Sequence, residues 1–407
     1  MPHGSHPPAG RLTAVSQFHN TVLPPAQGSC WCGGTVPVDQ ILIHRLMMRN
    51  AMTALYVTEP YSLVKKDGDT LLIDIPANRE LKREARKIRI PLIKVDQVVI
   101  VGDSTVTAQA LASLLEQHAQ ITFLSPYGAF RGQVVPPNSR NSLLRLAQFR
   151  AHDDPARALS LAKAFVAGKL ANQRTLLLRS NRKLNDDAIT QAAEALHGLI
   201  GQVEALESDG SPPADPSRPQ AGSTWGSLLG LEGGGSARYF GVFGRLLRGD
   251  PALTFEERNR RPPRDPVNAL LSYGYTLLLH QAAGALQTVG LDAYVGFLHS
   301  AQYSKPALAL DLMEEFRAPV VDSTVLTLVN NHILNGGDFK AELGAWRLTD
   351  AGRRTFLGKF EERMSTEIVH PVFGYKATYR RCLELQARLM AKYLLGEIDP
   401  YPPFKVR

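Results

Sequence analysis

Cysteine is scarce in this chain. Cys30, Cys32 and Cys382 are all that 407 residues contain, too few and too scattered for a disulfide framework or a complete zinc or iron–sulfur site. Long apolar runs are missing as well. No stretch approaches the roughly eighteen consecutive apolar residues of a membrane span, and the amino-terminal MPHGSHPPAGRL lacks the charged-then-apolar order of a secretory signal. The sequence therefore reads as cytoplasmic, with no membrane partner. Disorder as a class is excluded too, since 44% hydrophobic content supports real cores and the length allows two domains. Charge leans one way: 46 Lys and Arg against 38 acids leave a formal net charge of +8. That modest excess favours a polyanionic partner such as nucleic acid or, by charge alone, a membrane surface.

Texture divides the chain. Residues 1–51 are rich in Pro, Gly, Ser and His and read as an amino-terminal extension, partly disordered. From residue 52 to 136 strand-like runs dominate: ALYVTEP, then YSLVKKDGDTLLIDIP folded about a Lys-Asp-Gly-Asp turn, then IPLIKVDQVVIVG and QITFLSPYGAFRGQVV, with one helical interlude at TAQALASLLEQHA. After PPNSRN the apolar residues recur every three or four positions to the end, so 137–407 reads as helical. SDGSPPADPSRPQAGS, residues 208–223, marks a flexible loop within it. Asp265 followed by Pro266 predicts a helix start and puts Asn268 in the first turn, open to solvent or to phosphate. The expected class is α+β, a small mainly-β domain followed by a larger all-α one.

Three features of the helical half carry chemistry. In LALDLMEEFR the acids Asp311, Glu314 and Glu315 fall on one helical face. Like charges so spaced repel unless water or a cation screens them, and the ordinary reading of such a stripe is a solvated face. In GLEGGGSARYF, Glu232 precedes three glycines that permit close approach of a backbone or ligand, or mark a helix start. In YVGFLHS, His299 closes an apolar run twelve residues before Asp311. Singly, the Glu reads as solvated and the His as a hydrogen-bonded core or edge residue. Together they offer carboxylates and one imidazole, a donor set suited to Mg²⁺ or Mn²⁺ rather than Zn²⁺. Between them RLLRGDPALTFEERNRRPPR presents Arg245, Arg248, Arg258, Arg260, Arg261 and Arg264. Such a loop reads equally as a phosphate-binding strip or as a solvated charged segment.

LEGGGSARYF, RNRRPPRDPVNALLSYGYTLL, GLDAYVGFLHS and LALDLMEEFR, in that order, closely resemble the CRISPR-associated adaptation integrase, the Cas1 endonuclease family, over residues 52–407. The resemblance implies a β domain that pairs in a homodimer, a helical catalytic domain, and a higher-order complex with the small Cas2 protein. It places the metal ligands at Glu232, His299 and Glu314, with Asp311 beside them as a fourth catalytic residue and Glu315 outside the site. The loop arginines and Lys305 become DNA contacts by proximity. Two departures stand out: the extension 1–51 has no counterpart and does not look like a fused Cas4 nuclease, and the loop 208–223 is an insertion.

The implied activity is metal-dependent joining of 3′-OH ends of spacer-precursor DNA to the CRISPR repeat, with Mg²⁺ or Mn²⁺ as cofactor. Two other readings stay open. One is a metal-dependent nuclease that cleaves branched DNA in repair; the other is a non-catalytic DNA-binding scaffold whose acidic stripe is merely wet.

Overall fold

The computed structural model describes residues 53–78, 84–126, 128, 130–136, 141–210, 222–259, 262–300, 302–342 and 344–406. The expected extension 1–51, Arg260, Arg261 and most of the expected loop 208–223 lie outside the described residues.

Among the described residues eight strands come first: β1 (Thr53–Val57), β2 (Leu63–Asp67), β3 (Thr70–Ile75), β4 (Arg86–Pro91), β5 (Val95–Val101), β6 (Thr105–Val106), β7 (Gln120–Leu124) and β8 (Phe130–Val134), with helix α1 (Ala108–Glu116) before β7. They form two four-stranded sheets, ordered β4-β3-β2-β6 and β1-β5-β7-β8. The Lys-Asp-Gly-Asp turn closes the β2–β3 hairpin, with Asp67 paired to Thr70 and Gly68 at φ 57°, where a side chain would be strained. IPLIKVDQVVIVG is not one strand; a short turn at Leu92–Lys94 separates the end of β4 from β5.

β5 explains why the sheets and the helices cannot be parted cleanly. Val98 and Ile100 pack into a cluster with Val64, Leu71, Ile73 and Leu114, while Val99 and Val101 belong to the large core of the helices. Side chains alternate across a strand, so the unbroken VVIV run buries both faces of β5 at once.

The helices are α2 (Ser142–Asp153), α3 (Pro155–Leu184), α4 (Asp187–Ala205), α5 (Thr224–Phe243), α6 (Pro266–Val289), α7 (Ala307–Glu314), α8 (Ser323–Asn330), α9 (Asp350–Met364) and α10 (Tyr379–Leu394). Asp154 caps the 30-residue α3 by accepting from the N–H groups of Ala156 and Arg157. Asp265 and Pro266 start α6 as their order predicts.

This half is not purely helical. β9 (Phe339–Glu342) with β10 (Ala345–Leu348), and β11 (Glu367–Val369) with β12 (Lys376–Thr378), add two antiparallel ladders. Strands this short show too little alternation to stand out from loop. Asn268 is also corrected. It meets neither solvent nor phosphate, being fully buried, with its Oδ1 accepting from Arg258 Nη1 at 2.6 Å and from the Asn259 N–H at 3.1 Å.

Candidate active site

Four segments converge on one point of the helical core. α3 brings Lys169, α5 brings Glu232, the loop before α7 brings His299, and α7 brings Asp311 and Glu314. The three glycines after Glu232 lie inside α5, not at a helix start. Gly235 lets that helix close on its neighbours: a Cβ there would stand 2.3 Å from Leu170 Cδ2 and 3.5 Å from Leu196 Cδ2. Glu232 sits one turn earlier and is thereby held against α3.

The His299 loop is pinned from α2. Gln148, fully buried, donates to the carbonyls of Asp292 and Val295 at 2.8 Å each, and its own oxygen accepts from the Asp292 N–H at 2.9 Å. From the other side Asp311 gathers the loop end. Its Oδ2 accepts from the N–H groups of Phe297 and Leu298 at 2.6 and 3.0 Å, and its Oδ1 from the His299 N–H at 2.9 Å and from His299 Nδ1 at 2.7 Å. Gly296 makes room, since a Cβ at that residue would lie 2.8 Å from Asp311 Oδ2. With Nδ1 donating to the carboxylate, the lone pair of Nε2 faces away from Asp311, and Nε2 lies 4.0 Å from Glu314 Oε1.

Glu314 is almost completely buried yet ionised. Burial alone would raise its carboxyl, but Arg317, Lys169 and His299 outweigh that and hold it down to about 2. Arg317 Nη1 stands 3.2 Å from Oε1 and Lys169 Nζ 3.0 Å from Oε2. Lys169 Nζ also pairs closely with Glu232 Oε1, which accepts from Ser236 Oγ at 3.2 Å as well. Two carboxylates from separate helices thus share one ammonium.

The acidic stripe is no solvated face: Asp311, Glu314 and Glu315 are all buried. Nor do the three face one another. α7 ends at Glu314, and a wide π-type turn over Arg317–Asp322, containing Pro319, follows. Glu315 points instead at the carboxy-terminal segment, accepting from the Phe404 N–H at 2.8 Å, Gln386 Nε2 at 3.1 Å and Tyr401 OH at 3.0 Å, and burial pushes its carboxyl up to about 8. Behind the site, Asp322 accepts from Tyr239 OH at 2.7 Å and Tyr275 OH at 2.6 Å, and the Tyr275 ring lies under the Arg317 guanidinium at 4.6 Å.

Lys169 and Arg317 escape sequence reasoning. A lysine inside a long helix ordinarily reads as surface, and the only cue is its apolar setting, Ala-Gly-Lys-Leu-Ala. Of the loop arginines, Arg248 and Arg264 are exposed. Arg245 is exposed and paired with Asp186 at 3.0 Å. Arg258 is half-buried in the Asn268 network, where its Nη2 donates to Ser272 Oγ at 3.2 Å, and Lys305 is half-buried beside the site loop.

Among the described residues, no three His, Cys, Asp or Glu side chains stand close enough around one point to ligate an ion as placed. The donors nevertheless fit one. Glu232 and Glu314 already converge on a cation, that of Lys169, and Nε2 of an oriented imidazole lies alongside. Hard oxygen donors with a single nitrogen suit Mg²⁺ or Mn²⁺. Among the described residues no helix is long and apolar enough to cross a membrane.

The family model described as CRISPR associated protein Cas1 matches residues 55–362. A Cas4/Cas1 fusion of Geobacter sulfurreducens, named a CRISPR-associated exonuclease and endonuclease, is 42% identical over 357 residues, covering 87% of this chain and 60% of that protein. A CRISPR-associated endonuclease Cas1 of Thermus thermophilus is 37% identical over 352 residues, covering 86% of this chain and 97% of its own. Among solved structures, a casposase bound to integration product superposes with a TM-score of 0.73 at 24% identity, covering 88% of this chain and 95% of that one.

Proposed function

The chain belongs to the CRISPR-associated Cas1 family, and from that premise we propose that it is a divalent-metal-dependent DNA endonuclease and integrase, joining 3′-OH ends of spacer-precursor DNA to the CRISPR repeat. The observation that carries this reading is the meeting of Glu232 and Glu314 at one cation, with His299 Nε2 beside them.

In the reaction, the incoming 3′-hydroxyl gives its proton to solvent or base as its oxygen bonds to phosphorus, and the bond to the leaving 3′-oxygen breaks as that oxygen takes up a proton from solvent. Glu232, His299 and Glu314 would hold a Mg²⁺ or Mn²⁺ ion, and the chemistry it would supply is Lewis-acid polarisation of the phosphoryl oxygen. The protein's own groups set the geometry. Asp311 holds the tautomer and angle of His299, both of its oxygens being committed to that imidazole and to the N–H groups of 297–299, so it acts as a positioning residue. Arg317 keeps Glu314 ionised and oriented. Exposed Arg248 and Arg264, with Arg245 and Lys305, supply positive charge for the DNA backbone.

The proposed assembly is a homodimer paired through the strands of 53–134, acting with Cas2 on spacer DNA and repeat. A short duplex with free 3′ ends mixed with a supercoiled repeat plasmid tests the chemistry. Glu232→Ala and His299→Ala are expected to lose covalent joining by about 10³-fold or more while binding DNA normally. Cleavage of branched DNA without joining would favour a repair nuclease instead. Full integration by His299→Ala protein in Mn²⁺ would overturn the ligand assignment.

A further inference from the structure

Lys169 stands at the centre of the site, and the proposed reaction does not use it. Its side chain is 4% exposed, on the middle of α3, and its ammonium has Glu232 on one side and Glu314 Oε2, at 3.0 Å, on the other. An ammonium this deep is retained only if partners replace its water, and here the partners are the two carboxylates that would ligate the ion. It occupies the space between the two carboxylates that would hold a divalent cation.

We propose that Lys169 is an internal countercation: it holds Glu232 and Glu314 in ligating position while no ion is bound, and must be displaced when one binds. The inference rests on the metal-site reading above and adds what sets the affinity of that site. Charge balance gives the displacement a direction. Glu232 and Glu314 face two protein cations, Lys169 and Arg317, so the pocket is balanced while no ion is bound, Asp311 being committed to His299 and its backbone. A doubly charged ion leaves it two positive charges in surplus, and a phosphodiester removes one of them. The displaced ammonium then has a natural partner in the phosphate oxygens. Ion binding is therefore weak without DNA and tightened by it, which confines an active ion to the complex in which a phosphodiester is present.

The test is Mn²⁺ titration by calorimetry, with thermal unfolding followed in parallel, on full-length protein with and without a short duplex. Wild type is expected to bind Mn²⁺ about tenfold or more tightly with the duplex than without it. Lys169→Met, which keeps the length and apolar stem, is expected to bind Mn²⁺ without DNA about tenfold or more tightly than wild type. Its unfolding temperature without metal is expected to fall and to recover on adding Mn²⁺, because two buried carboxylates lose their shared cation. Lys169→Gln, polar and uncharged, is expected to show the same gain in affinity and replaces the Met variant if that one fails to fold. Mn²⁺ binding no tighter in either variant, or wild-type affinity indifferent to DNA, would overturn the proposal while leaving the metal site standing, provided Glu232→Gln abolishes binding. Mn²⁺ binding that survives Glu232→Gln would overturn the metal-site reading itself.

Discussion

At Asp311 every lone pair that the fold can reach is committed. Three backbone N–H groups and one imidazole N–H end on a fully buried carboxylate. Asp311→Asn turns one acceptor into an NH₂ that confronts donors, and hydrogen bonds to a charged acceptor are worth about 1.5–3 kcal/mol each. The variant is expected to lose about 2–4 kcal/mol in chemical denaturation and most strand-transfer activity. A merely structural role would stop there. A positioning role also predicts that ¹⁵N shifts of the His299 imidazole change from a single Nδ1–H tautomer to a mixture. An unchanged tautomer with full stability loss would reduce Asp311 to scaffold. Sequence reading singled out Glu232, His299, Asp311 and Glu314, because acids and an imidazole are conspicuous in apolar runs, and the fold brings these four to one place. It could not find Lys169 or Arg317, since long basic side chains are normally solvated and nothing in their spacing shows that their heads turn inward. Nor could it show that Glu315 leaves the stripe, because its partners at 401–404 lie almost ninety residues away in sequence.

Among the elements, α5 ties stability to the site most directly. Gly233 is exposed with nothing within 4 Å of a Cβ, whereas Gly235 is buried against Leu170. Gly233→Ala is therefore expected to stabilise the protein by about 0.5–1 kcal/mol through helix propensity and unfolded-state entropy. Gly235→Ala is expected to destabilise by about 1–3 kcal/mol, because Leu170 is itself fully buried and must shift. Glu232 would move with the helix, so the Gly235 variant should also lose activity while the Gly233 variant keeps it. Equal effects on unfolding temperature at the two positions would refute the close approach. Elements with strong local chemistry were legible: the turn at Gly68, the start at Asp265 and Pro266, and the long periodic helices. The ladders β9–β10 and β11–β12 were not, because three or four residues give no measurable period. The break after Glu314 was also hidden, since Pro319 alone does not reveal where the preceding turn widens.

Over the whole molecule, strands and helices are joined by side chains that reach from one to the other. Gln120 Nε2 donates to the Gly284 carbonyl at 3.1 Å, Gln133 Nε2 to Gln287 Oε1 at 3.0 Å, and the Phe130 ring stacks on His280 with centroids 4.6 Å apart. α6, which carries Gly284, Gln287 and His280, thus fastens the strand region to the helical core behind the active site. His280 makes this junction sensitive to acid. Burial lowers its pKa to about 4, and its Nε2 has no hydrogen-bond partner. In the unfolded chain the imidazole takes up a proton below about 6.5. The folded chain does not follow until about 4. Unfolding then binds a proton, so stability is fully present above about 6.5 and is lost as pH falls from there towards 4. His370 is shifted in the same direction and Glu315 in the opposite one, so the wild-type curve alone does not isolate the junction. The difference between wild type and His280→Leu does, because every other titration cancels. Unfolding free energies at pH 7.5 and pH 5 are expected to show wild type losing up to about 2 kcal/mol relative to the variant over that range. A difference that stays constant with pH would mean that the junction takes up a proton without opening.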